Sequence, residues 1–132
     1  MHYIFRDIDD VSMLLNEGAL VIVREMGHSF STTDSVLEAH GDEFHPIKGL
    51  IKGNIVSIKT FAENEFAKVQ NIFSKYKSSL SLADCSVIYC AIATNGILVT
   101  SEKILLNASA VFKIKTCTTA LYFQEVKLYK TG

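Results

Sequence analysis

Asp84 is the residue of this 132-residue chain most clearly placed to do chemistry. It lies in Leu80-Ser81-Leu82-Ala83-Asp84-Cys85-Ser86-Val87-Ile88-Tyr89-Cys90-Ala91. A helix starting at Ser81 puts Asp84 on one stripe with Val87, Ile88 and Ala91, at offsets of three, four and seven. Those three residues face a core, so the carboxylate sits at the rim of an apolar face and needs a partner, because an unpaired buried charge is costly. One partner is the helix itself: Ser81-x-x-Asp84 has the form of a capping box with Asp in place of Glu. The other is a metal ion. The motif alone leaves both open.

Other acids stand at comparable points. Asp7 and Asp9 follow the short apolar run Tyr3-Ile4-Phe5-Arg6, and Glu102 follows Ile97-Leu98-Val99-Thr100. In an open parallel sheet, ligands bind beyond the C-terminal ends of the strands. Asp7, Asp9 and Glu102 are expected at such an edge, with Asp84 at the head of the helix that leads into the second of these strands. Carboxylates gathered in one place repel unless a cation joins them. An all-oxygen set with open positions suits Mg²⁺ or Mn²⁺, ions that bind phosphate oxygens and activate water for in-line attack.

The elements that must position these groups follow from periodicity and turn chemistry. Tyr3–Arg6 reads as a strand, followed by a helix capped by Asp9 or Asp10 and carrying Val11, Leu14 and Leu15. Ala19 to Met26 fits strand or helix on periodicity alone, and Gly27 breaks it. Ser29–Thr32 is a second strand, and Thr33 or Asp34 caps a helix with Val36 and Leu37. Gly41 to Pro46 is a polar interruption before a helix through Leu50 and Ile51, and Gly53-Asn54 is a turn. Ile55–Ile58 is a third strand. Phe66, Val69, Ile72, Phe73 and Tyr76 make the segment from Ala62 to Tyr76 an amphipathic helix whose stripe is core packing. The Ser81 helix runs to Thr94 and stops at Asn95-Gly96; Ile97–Thr100 is a strand buried on both faces. A helical turn from Ser101, a last strand near Val111 to Lys115, and a helix from Thr118 or Thr119 through Val126 complete the chain. Alternating strands and helices predict an α/β protein, a three-layer α/β/α sandwich around a parallel sheet of four to five strands.

Composition narrows the class. Apolar residues make up 48% and charged residues 20%, which excludes a disordered chain and predicts one domain, residues 1–132. The apolar runs, Ala19–Val23 among them, are far too short for a membrane span, and an acidic cluster stands where a signal peptide would be apolar. Three cysteines without metal-binding spacing fit buried thiols in a reducing cytoplasm, the expected location. Residues 1–45 carry two arginines against nine acids; residues 46–132 carry eleven lysines against five. That asymmetry is compatible with a metal site beside a phosphate-binding surface, and equally with charges that pair on folding.

The segments Leu80–Ala91 and Ile97-Leu98-Val99-Thr100-Ser101-Glu102-Lys103 resemble the second half of a PIN domain, whose members commonly show L-S-x-x-D-C-x-x-x-x-x-A, an apolar strand and T-x-D-K. Ile4-Phe5-Arg6-Asp7-Ile8-Asp9 looks like that family's first strand ending in D-x-N/D/S. The resemblance implies a divalent-metal-dependent nuclease, usually acting on RNA and often the toxin of a toxin–antitoxin pair, so that RNA, a cognate antitoxin and a homodimer partner become expectations. It also favours helix over strand for Ala19–Met26. Carried over, Asp7 and Asp84 are the metal carboxylates, Glu102 stands where the family usually has Asp, and Asp9, Thr100 and Ser101 are accessory. The family's second acid follows V-x-x-E spacing, which falls here on Ala39; Glu38 is one residue early, about 100° around a helix. Either Glu38 reaches the site or the site has three strong acids. The alternative function is a PIN-like module with a degenerate site that binds RNA or protein.

Other chemistries have less behind them. His2, His28, His40 and His45 have no metal spacing, and surface or terminal positions account for them. No serine has a plausible relay, and no Gly-rich phosphate loop follows the first strand. A phosphoryl-accepting receiver would need an Asp at the end of the third strand, and Ile55–Thr60 offers none.

Overall fold

The structure is a computed structural model that describes residues 1–10, 20–40, 51, 55–76 and 79–131. It is a three-layer α/β/α sandwich. The described elements run β1 (His2–Phe5), α1 (Leu20–Glu25), β2 (Ser29–Thr33), α2 (Asp34–His40), β3 (Val56–Lys59), α3 (Glu63–Tyr76), α4 (Leu82–Thr94), β4 (Ile97–Val99), α5 (Lys103–Val111), β5 (Thr116–Cys117) and α6 (Thr119–Thr131). The five strands form one all-parallel sheet in the order β3-β2-β1-β4-β5. β1 is central, and its register pairs Phe5 with Val99 of β4 and Ile4 with Ser31 of β2. The C-terminal ends of β1 and β4 therefore finish side by side.

The pleat decides what each strand residue touches. Tyr3 and Phe5 point to one face, where their rings lie 4.8 Å and 5.6 Å from that of Tyr122 on α6. His2, Ile4 and Arg6 point to the other, toward α4, with Ser29, Ser31 and Thr33 of β2 beside them; His2 bonds Ser29 and Ser31 at 2.7 Å and 2.8 Å. α4 is the central helix of that face, with α2 and α3 packed along it. It is buried continuously from Ala83 to Ala91, which explains why its sequence is apolar nearly all round. Ile4, Phe5, Leu98 and Val99 are fully buried, as expected for strands covered on both sides.

Most expected elements are present. Residues 20–25 resolve to helix, ended by Gly27 at φ 74°, where the His28 and Gly27 N–H groups close back on Val23 and Arg24. Thr33 caps α2, its hydroxyl accepting from the Val36 N–H at 3.1 Å. The helical residues that follow β1, described only at 8–10 and left unlabelled, start at Ile8, ahead of the expected Asp9 or Asp10 cap, and Val11, Leu14 and Leu15 lie outside the described residues, as do 41–50 and Gly53-Asn54. The cysteines are free, with Cys85 and Cys90 buried. His28 is not a surface residue: it is half-buried and hydrogen-bonded to the Tyr122 hydroxyl at 2.9 Å.

One segment corrects the sequence expectation. The helical turn from Ser101 is the nine-residue helix α5, and residues 111–115 are not a strand. α5 ends in a Schellman motif: Ile114 N–H bonds Ser109 O, Lys113 N–H bonds Ala110 O, and Lys113 is left-handed at φ 58°. The alternation Val111-Phe112-Lys113-Ile114-Lys115 comes from this closure, which half-buries Phe112 and Ile114 around it. The strand that follows is only Thr116–Cys117. α6 also runs past Val126 to Thr131.

A buried polar relay ties β2 to α4. Ser86 Oγ donates to Ala83 O at 2.6 Å, so its one proton is committed and Thr33 must donate to Ser86, at 2.7 Å, while accepting from Val36 N–H. Thr33→Val removes the relay and strands a buried N–H. It is expected to cost about 1–3 kcal/mol by urea denaturation, with Thr33→Ser retaining most of the stability.

Candidate functional site

Arg6 continues β1 past its last paired residue: its N–H still donates to Val99 O at 3.3 Å. Pleat alternation sends its side chain to the α4 side, where its Nε donates to Asp84 Oδ1 at 2.5 Å. The other Asp84 oxygen accepts from Ser81 N–H at 2.9 Å, and Ser81 Oγ accepts from Asp84 N–H at 3.1 Å. The capping box is thus complete, and it uses only half of the carboxylate. The Arg6 and Asp84 side chains retain 17% and 11% of their exposure, so this pair is far drier than an ordinary surface salt bridge.

Glu102 comes to the same edge by a different route. Thr100, fully buried at the end of β4, accepts the Glu102 N–H on its hydroxyl at 3.2 Å and fixes the turn into α5. Ser101, between them, is exposed. Glu102 has its pKa raised, first by partial desolvation and then by the negative charges of Asp84 and Asp7, with Arg6 opposing. Three acids far apart in sequence therefore share one electrostatic field. Asp10 is raised as well, mainly by burial, with Asp7 and Asp9 adding to it and the Thr119 hydroxyl, 2.9 Å away, acting against it. Cys85 is no nucleophile, since burial and the Asp84 charge push its thiol up to about 11.

Two cavities meet at Arg6. One of about 630 Å³ is lined by Arg6, Ser81, Asp84, Glu102, Lys103 and Ile104 among others. A smaller one of about 220 Å³ is lined by Arg6, Asp7, Ile8, Asp9, Val36 and Ala39. Asp84 and Glu102 therefore share one recess, Asp7 and Asp9 the other, and Arg6 lines both. Ala39 faces the Asp7 recess, while Glu38 is exposed and lines neither. Lys103 stands at the mouth of the larger recess, whereas Lys59 is engaged with Glu65 at 3.5 Å.

The donor set suits a hard divalent cation: carboxylates only, already repelling one another at Glu102. As the side chains stand, no three Asp, Glu, His or Cys groups among the described residues are gathered to ligate one ion. Arg6 already holds Asp84 Oδ1.

Arg6 is the residue that sequence reasoning missed. Its partner is 78 positions away, and the available signal was that it is one of only two basic residues among the first 45, set directly against Asp7-x-Asp9-Asp10. The chain matches no protein-family model and no curated protein. No helix among the described residues is long and apolar enough to cross a membrane.

If Arg6 and Asp84 form one dry pair, their substitutions are not additive. A double-mutant cycle of Arg6→Met and Asp84→Asn, read by urea denaturation, is expected to give a coupling of about 1–3 kcal/mol, against near zero for Arg24→Met with Asp84→Asn.

Proposed function

We propose that this chain is a divalent-metal-dependent endoribonuclease of PIN type. The observation that carries the reading is that Asp7, Asp84 and Glu102 all lie beyond the paired C-terminal ends of β1 and β4, with Asp84 and Glu102 lining one recess and Asp7 the recess that adjoins it at Arg6. Asp7 and Asp84 are the groups to hold Mg²⁺ or Mn²⁺. Glu102 completes the shell or orients water, and Asp9 is the accessory polar group of the Asp7 recess. Thr100 keeps the Glu102 backbone in place. A bound ion supplies charge neutralisation at phosphate oxygens and a water of lowered pKa for in-line attack. Lys103 lies where it can draw a phosphate backbone to the recess, a contact that positions without reading sequence. The toxin-like form of this reading adds a cognate antitoxin and a second copy of the chain as proposed partners, acting in the cytoplasm.

A second reading has its own support. Ala39 occupies the wall of the Asp7 recess where an acid is wanted, and Arg6 neutralises Asp84. A PIN-like module that retains RNA or protein without cleaving it has these features.

Cleavage of a labelled RNA in Mg²⁺ or Mn²⁺ separates the two. The nuclease reading expects cleavage that stops on chelation and falls about 100-fold or more in Asp7→Asn and in Asp84→Asn, with Arg24→Met close to wild type. Unchanged metal-dependent cleavage in Asp84→Asn would contradict the site assignment. RNA retention with no cleavage at millimolar Mn²⁺ belongs to the binding module.

A further inference from the structure

We propose that Arg6 is an internal cation that competes with the divalent ion for Asp84, so that the acid centre is held closed in the free protein. This rests on the metal-site reading above and concerns how that site is controlled. Three observations carry it. Arg6 Nε lies 2.5 Å from Asp84 Oδ1, while Oδ2 is committed to the Ser81 N–H. Each oxygen keeps a second lone pair, so an ion can reach Asp84 with the cap intact, but it must do so beside the Arg6 guanidinium. Arg6 also lines both recesses, and so stands between the Asp7 and Asp84 sides of the set. Its direction, finally, is imposed by the fold: as the residue after β1 it shares the α4-facing side of the pleat with His2 and Ile4, and its backbone stays tied to Val99.

The pair satisfies in the free protein what a metal satisfies in the bound one. With Arg6 in place, the Asp84 charge is already offset, and a second cation meets a like charge at contact distance from the carboxylate. Release needs only a side-chain movement, because the guanidinium has open recess on either side. A phosphodiester entering the larger recess gives Arg6 a new planar partner, to which a guanidinium fork is well matched. Metal affinity is then low without substrate.

Titration calorimetry with Mn²⁺ alone tests this on wild type, Arg6→Met, Arg6→Gln and Arg6→Met/Asp7→Asn, each checked for folding by circular dichroism. Arg6→Gln keeps a neutral donor beside Asp84 and guards against loss of the fold in Arg6→Met. Both single variants are expected to bind Mn²⁺ about tenfold or more tightly than wild type, and binding is expected to disappear in the double variant. The rise in melting temperature on adding Mn²⁺ should also be larger in Arg6→Gln than in wild type. Equal affinity in wild type and both single variants, still lost with Asp7→Asn, overturns the competition and leaves the metal centre standing. No binding at millimolar Mn²⁺ in any folded variant overturns both. Tightening that survives in the double variant places the ion elsewhere and overturns the proposal.

Discussion

A guanidinium and a carboxylate 78 residues apart, Arg6 and Asp84, join the end of the central strand to the head of the helix that covers it. Each is held from behind. Arg6 is an extension of the central strand, with no freedom to choose a face, and Asp84 is the third residue of a capped helix that is buried for most of its length. Because the pair is largely dry, neither partner is easily dispensed with alone, and removing one leaves the other in an environment hostile to charge. Glu102 and Asp7 are placed around this pair, and the electrostatics of the edge follow from how completely Arg6 offsets three acids.

The rest of the fold keeps that edge in register. β1 and β4 end together because Phe5 pairs with Val99, and Thr100, buried immediately beyond, spends its hydroxyl on the Glu102 N–H. On the opposite side of β1, the Thr33–Ser86 relay locks the start of α2 to the first turns of α4, two residues from Asp84. The aromatic cluster of Tyr3, Phe5, Phe30 and Tyr122 fills the other face and leaves the α4 face free for small and polar groups. The sheet thus sorts its residues, bulk on one side and hydrogen bonding on the other, with the acids at the end where the sorted rows stop.

Much of this was legible in the sequence, and the parts that were not share a cause. Ser81-x-x-Asp84 announced its cap, Gly27 and Asn95 announced helix ends, and the apolar run at Ile97 announced a strand buried on both faces, because each signal is local. The metal and capping roles of Asp84 could not be separated there, and the structure shows why: the cap uses one oxygen and leaves the other for a second partner. The residues after α5 misled because a left-handed Lys113 folds an alternating sequence back into a helix end rather than out into a strand. Arg6 was invisible as a site residue because nothing near it in sequence names its partner; only the parallel pairing of β1 with β4 and the packing of α4 across them bring the two together. Helical spacing left open whether Glu38 reaches the site, and only the packing of α2 beside β1 puts Ala39 in the wall of the Asp7 recess.

Anomalous diffraction from crystals grown in Mn²⁺ tests the central claim most directly, since it locates the ion and the Arg6 side chain in one experiment. The expected result is a manganese peak between Asp7 and Asp84, with Glu102 in or beside its shell and Arg6 turned away from Asp84. Crystals saturated with Mn²⁺ that show Arg6 still on Asp84 and no peak at this edge would contradict a metal centre built on these acids.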